Sequence, residues 1–188
     1  DILKRKNDIE VKVRRAQPGD LNIGFVDWNP RPLDESMGII QTVKLCASGA
    51  VSVEDVYVIP DLDVETFAEA DLEVRVDLKN RTSVPVCADI VLAIQDGESS
   101  TVSVELAANE RRTVVLTPEL AANLHIVNPR VWWSYDLGNP ELYDLNVKVS
   151  SEGEVSDSKD VTFGIRKIES WLNGHGYRQF ALNGKEIL

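Results

Sequence analysis

The chain has 188 residues, 43% of them hydrophobic and 27% charged, a globular composition that bounds it to about one or two domains. A formal net charge of -11 and a pI near 4.6 exclude a nucleic-acid module, which needs a basic patch to displace counterions from phosphate. The longest purely apolar run, Ile90 to Ile94, is far short of the ~18 residues that read as a membrane-spanning helix, so neither nucleic acid nor membrane is an expected partner.

Along residues 1–49, Ile9, Val11 and Val13 alternate with polar neighbours and predict a short strand ended by Pro18-Gly19-Asp20; a second strand is expected around Ile39 to Leu45. The loop from Ala16 to Glu35 contains aromatics and three prolines and is too long for a hairpin, a combination found in functional or disordered loops. Two or three strands cannot close a core, so this stretch reads as the tail of a domain.

From Val51 the strands follow at the spacing of a β-sandwich. Val51 to Ile59 ends at Pro60, which suits an edge, and Leu72, Val74, Val76 and Leu78 alternate cleanly before the turn at Asn80 to Ser83. Val86 to Ile94, Val102 to Leu106 and Thr113 to Leu116 follow, then a crossover from Pro118 to Asn128 with one helical turn expected at Glu119 to Asn123. Trp132, Trp133 and Tyr135 are closed by a turn containing Gly138 and Pro140, after which Tyr143, Leu145, Val147 and Val149 alternate with polar residues. A last strand carries Val161, Phe163 and Ile165. Residues 50–166 are therefore expected to form an all-β, seven-stranded immunoglobulin-like sandwich.

Residues 167–188 read as a linker, with a loop over Trp171 to Gly176, and a hairpin turned by Asn183-Gly184. Beginning at Asp1 rather than Met and stopping at Leu188 inside an apolar pattern, the sequence reads as an excerpt of a longer chain. No compartment is legible from it.

Cys46 and Cys87 are too few for a disulfide framework and are expected as buried thiols among strand residues. No G-x-S-x-G, G-x-G-x-x-G, P-loop or H-E-x-x-H occurs, and no cofactor or metal is implied. His125 and His175 stand alone, suited to loops or caps. Asp61 and Asp63 suit a strand end better than a calcium loop, and Asn80-Arg81-Thr82 fits both a glycosylation acceptor and a turn. Asp27-Trp28 is the sharper candidate: an indole face stacks on pyranose C–H groups while the carboxylate accepts hydroxyl hydrogen bonds. The competing reading has Trp28 plugging a core and Asp27 capping a turn.

The order GFVDWNPRP, SMGIIQTVKL, WWSYDLGNPELYDLNVKV, VTFGIRKIE and FALNGKEIL resembles the middle of a glycoside hydrolase family 2 enzyme over essentially the whole chain. The resemblance implies a sugar-binding jelly roll, an immunoglobulin-like sandwich and a (β/α)₈ catalytic barrel in succession. Residues 1–49 would be the C-terminal remnant of the jelly roll, 50–166 the sandwich, and 167–188 the linker and first hairpin into the barrel. Asp27-Trp28-Asn29-Pro30 resembles the β-mannosidase and exo-β-glucosaminidase branch, in which this loop helps hold the terminal sugar. The family's two working glutamates would lie beyond Leu188, and no residue here matches either.

The expectation is thus a non-catalytic structural fragment of a retaining exo-β-glycosidase. Its partners are the jelly roll and barrel of its own parent chain and, through the parent, a carbohydrate. Trp132, Trp133, Gly138, Pro140, Tyr143, Phe163 and Gly164 are given structural roles, the aromatics wedging a sandwich corner or domain interface. The alternative is a stand-alone carbohydrate-binding or adhesion sandwich, and exposed strand edges would permit pairing between copies.

Overall fold

A computed structural model describes residues 8–15, 37–95 and 97–187, and the chain divides into two compact units, Asp1–Cys46 and Ala47–Leu188. In the first unit the described residues form no strand. Ile9, Val11, Val13, Ile39, Ile40, Val43 and Leu45 are exposed there, so the two expected strands are not formed among the described residues. Alternation prepares a face for burial, but without a neighbouring strand there is neither a ladder nor a cover to hold it. Cys46 is likewise exposed rather than buried.

The second unit is built from β-strands, as its period-2 patterning requires. One antiparallel sheet runs β1 (Val51–Leu62), β2 (Glu69–Asn80), β5 (Arg111–Leu116), with β6 (His125–Val127) also paired to β2. The second sheet has the order β4 (Ser99–Leu106), β3 (Val86–Ile94), β7 (Tyr143–Ser151), β8 (Glu154–Phe163). Leu72, Val74, Val76 and Leu78 of β2 meet Ile90, Leu92, Leu145, Val147 and Val149 in one core cluster in which each is fully buried. Burial of side chains of this kind stabilises by about 1.5–3 kcal/mol apiece before conformational entropy is charged against it.

Eight strands rather than seven make the sandwich, because the crossover contributes β6 after a one-turn 3₁₀ helix, Ala122–Leu124. A third antiparallel sheet, β9 (Ile168–Leu172), β10 (Arg178–Leu182) and β11 (Lys185–Ile187), follows. β10 and β11 are the expected hairpin, with Asn183 and Gly184 at φ 51° and 74°. β9 occupies residues expected as a linker and the start of a loop; it pairs with β10 from Ile168↔Leu182 to Leu172↔Arg178.

One seam between the two sandwich sheets is closed by side chains rather than by a ladder. Ser156 Oγ of β8 donates to Val51 O at 2.7 Å and accepts from Val51 N–H at 2.8 Å. Asp157 accepts from Val53 N–H at 2.8 Å, and Lys159 Nζ donates to Glu54 O and Asp55 Oδ1 at 2.9 and 2.8 Å. These contacts occupy the outer backbone groups of an edge strand that would otherwise invite pairing. The backbone approaches closely here, since a Cβ on Gly49 would lie 2.8 Å from Ser156 Oγ.

At the other end of the sheet, β6 is held by a short register in which His125 faces Asp71. His125 Nδ1 lies 2.7 Å from Asp71 Oδ1, and Nε2 3.8 Å from Glu69. The hydrogen bond to Asp71 outweighs partial desolvation and, with the charges of Asp71 and Glu69, raises the imidazole pKa above its ordinary 6.5.

Ser156→Ala strands the N–H and C=O of Val51 together, so a loss of about 1–3 kcal/mol is expected in a denaturant melt; an unchanged midpoint would show the seam to be unimportant. Because the folded-state pKa of His125 is raised, its contribution is full below the unfolded-state value and is lost as pH rises through the folded one. Hydrogen-exchange protection of the β6 amides, corrected for intrinsic rates, should fall in the wild type as pH rises through the raised His125 pKa, and His125→Gln should remove that dependence.

Candidate functional site

The aromatic stretch forms a corner at one end of the sandwich, where the crossover before β7 meets the exit from β8. Val131 bridges Ile165 in parallel, and Trp132 N–H donates to Ile165 O at 2.9 Å. Trp132 also bridges Pro140, and Trp133 N–H donates to Asn139 O at 2.9 Å, which closes the neck of the turn between them. Inside that turn the N–H groups of Leu137 and Gly138 both donate to Ser134 O, at 2.9 and 3.0 Å.

Two glycines are required because indoles lie where a side chain would start. A Cβ on Gly164 would sit 2.9 Å from Trp132 Cδ1, and one on Gly138 would sit 3.0 Å from Trp133 Cβ and Cγ. On its outer side the Trp132 ring carries the Arg166 guanidinium 4.5 Å from its centroid. Phe67 lies 6.2 Å from Trp133, tilted by 43°. Both tryptophans are half-buried.

Tyr143 begins β7 and stacks on Phe163 with centroids 5.6 Å apart. Its hydroxyl accepts from Arg130 N–H at 2.6 Å, while the Arg130 guanidinium lies 4.6 Å from the ring centroid and donates to Gln95 Oε1 and Leu142 O at 3.0 Å each. A tyrosine at this position that bonds back to the preceding chain is the tyrosine corner of immunoglobulin-like sandwiches. Removing the hydroxyl would leave a half-buried N–H unpaired, a cost of about 1–3 kcal/mol.

The corner therefore gathers Trp132, Pro140 and Gly164 in one contact, Trp133 and Gly138 in a second, and Tyr143 and Phe163 in a third. Arg130 and Arg166, which complete it, carry no local sequence signal: each acts across the fold. Asp27 and Trp28 lie outside the described residues.

The remaining flagged groups have local partners. Asp61 pairs with Lys167 Nζ at 3.1 Å, whereas Asp63 turns into its own loop, accepting from Glu65 N–H at 3.0 Å and from the Thr66 hydroxyl. That hydroxyl bond above all lowers the Asp63 pKa. Asn80 is fully buried, its amide donating to Val84 O and Ala107 O and its carbonyl accepting from Thr82 N–H and Oγ1, so in the folded chain it serves the turn. His175 N–H donates to Asn173 Oδ1 in an exposed turn. Cys87 is exposed, not buried, because it alternates with inward Ala88 and Ile90 on β3.

Among the described residues no group of three or more His, Cys, Asp or Glu could hold a metal ion. Three carboxylates of the outer sheet face are matched to neutral donors, Asp89 to Ser103, Asp144 to Thr162 and Asp160 to Asn146, at 2.5–2.7 Å. Glu54 is held by Ser52, Arg81 and Arg111, with its pKa lowered first by the Ser52 hydrogen bond. These pairings suit structural work and leave the corner as the part of the surface with the most specific construction.

The model of "Glycosyl hydrolases family 2" matches residues 51–166. An exo-β-D-glucosaminidase of Streptomyces avermitilis is 36% identical over 183 residues, 97% of this chain and 20% of that protein. One from Amycolatopsis orientalis is 34% identical, again over 97% of this chain and 17% of its own length. The crystal structure of the Amycolatopsis orientalis exo-chitosanase CsxA superposes with a TM-score of 0.78 at 34% identity, covering 90% of this chain and 19% of that one. The chain thus spans about a fifth of the length of the curated relatives it matches.

Proposed function

Because the chain belongs to glycosyl hydrolase family 2, we propose that it is the non-catalytic spacer of an exo-acting β-glycosidase that releases terminal D-glucosamine. Residues 1–49 then belong to the sugar-binding domain, 50–166 form the sandwich, and 167–188 lead into the catalytic barrel. The observation that carries this reading is the corner itself. It turns the chain leaving β8 directly into the sheet β9–β11, which presents Ile168, Leu172 and Phe180 to solvent, at 61%, 61% and 42% exposure. These three lie on one face, since Ile168 pairs with Leu182, Leu172 with Arg178, and residues 178, 180 and 182 alternate together. That face also carries Ser170 and Arg178, and exposed apolar side chains set among polar ones suit a domain interface.

The name shared by relatives that match nearly the whole chain supports glucosaminidase chemistry in the parent. The partners held by Asp89, Asp144, Asp160, Glu54, Asp61 and Asp63 support placing the chemistry elsewhere, because a retaining glycosidase needs two carboxyl groups about 5–5.5 Å apart across the sugar. Asp27 and Trp28 are proposed as contacts to the terminal sugar, through ring stacking and a hydroxyl hydrogen bond.

The 188-residue chain should release no nitrophenol from p-nitrophenyl β-D-glucosaminide, whereas the whole parent protein should turn it over. In the parent, Asp27→Ala and Trp28→Ala should each lower kcat/KM by on the order of ten-fold or more. Release by the chain alone, or a parent inert toward this substrate, would overturn the assignment.

A further inference from the structure

The turn residue Asn183 does more than turn a hairpin. An Asn-Gly turn needs only a left-handed backbone and a polar, solvated side chain, yet Asn183 is 3% exposed and all of its side-chain polar groups are engaged. Its Oδ1 accepts from Lys167 N–H at 2.8 Å, its own N–H donates to Lys167 O at 2.8 Å, and its Nδ2 donates to Trp132 O at 2.9 Å. One residue therefore joins three segments: the tip of β10–β11, the link between β8 and β9, and the aromatic corner.

Each neighbour is itself pinned to the sandwich. Trp132 is fixed by Ile165 O and by the space that Gly164 leaves for its indole, and Lys167 is fixed by Asp61 of β1. Next to Asn183, the position of a Cβ on Gly184 lies in ordinary contact with Val64 at 3.6 Å. The hairpin tip is thus seated on the sandwich, and the amide of Asn183 is the polar contact that sets its angle.

We propose that Asn183 is a positioning residue for the parent enzyme, holding the β9–β11 sheet, which leads toward the catalytic side, at a fixed orientation to the sandwich. This rests on the spacer reading above. On that reading the segment proposed to touch the sugar precedes the sandwich in the chain, and the glutamates follow the β9–β11 sheet. Loosening this joint should weaken the grip on the terminal sugar while the chemistry inside the barrel continues.

The side-chain chemistry supplies graded variants. Asn183→Gly keeps the left-handed turn and removes both side-chain bonds. Asn183→Asp keeps an acceptor for Lys167 N–H but sets a carboxylate against the Trp132 carbonyl, which it cannot donate to. Val74→Ala, in the core away from the joint, controls for lost stability.

In the whole parent protein, KM for p-nitrophenyl β-D-glucosaminide should rise on the order of ten-fold in Asn183→Gly and in Asn183→Asp, with kcat within about two-fold of wild type. Val74→Ala should lower Tm without moving KM. A KM unchanged in both Asn183 variants, or a KM that rises equally in Val74→Ala, would overturn the positioning role. An inert wild-type parent would instead remove the spacer reading beneath it, a separate outcome visible before any variant is made.

Discussion

The closest approach in the corner, an indole lying on a residue with no Cβ, governs how the chain leaves the sandwich. With Gly164 beneath it, Trp132 can pair its backbone with Ile165 and Pro140 while its indole lies close against residue 164. Any side chain at residue 164 would push the indole away, and with it the carbonyl that receives Asn183. Arg166 then covers the exposed ring face, a cation–π contact of about 0.5–1 kcal/mol at such a site. The Trp132 carbonyl held by this contact is one of the groups that seat the β10–β11 tip.

The rest of the second unit supplies a rigid base for that exit. Full burial of the β2, β3 and β7 apolar positions fixes the two sheets face to face. Ser156, Asp157 and Lys159 tie β8 to the edge strand β1. Tyr143 and Arg130 lock the crossover onto the start of β7. The Ser156 bonds to Val51 are buried, so their loss leaves partners unpaired rather than solvated, and that asymmetry makes them costly to break. Angles between elements are held by contacts of this type more than by the non-directional core.

Much of this was legible in the sequence. β2, β3 and β7 followed from strict alternation bounded by turn residues, and the β10–β11 hairpin from Asn183-Gly184. Cys87 was misjudged although the alternation of Ala88 and Ile90 already placed it on the outer face. β9 was missed because Ile168 to Leu172 shows no clean period, and its pairing depends on a partner across a turn. Around residues 9–13 and 39–45 the period was present without a strand among the described residues, since alternation is necessary for a half-buried strand but does not supply its neighbour. The second role of Asn183 depends on Lys167 and Trp132, a convergence that no local pattern announces. The sugar contacts proposed at Asp27 and Trp28 came from the motif alone and lie outside the described residues.

If the corner welds β9–β11 to the sandwich, the two must open together. Native-state hydrogen exchange under rising denaturant compares the amides of Leu145 and Val147 in β7 with those of Phe180 and Leu182 in β10. A single cooperative body predicts that both sets converge on the same opening free energy. Exchange of the β10 amides through a separate opening several kcal/mol below that of β7 would contradict it, and would make the third sheet a loosely attached appendage.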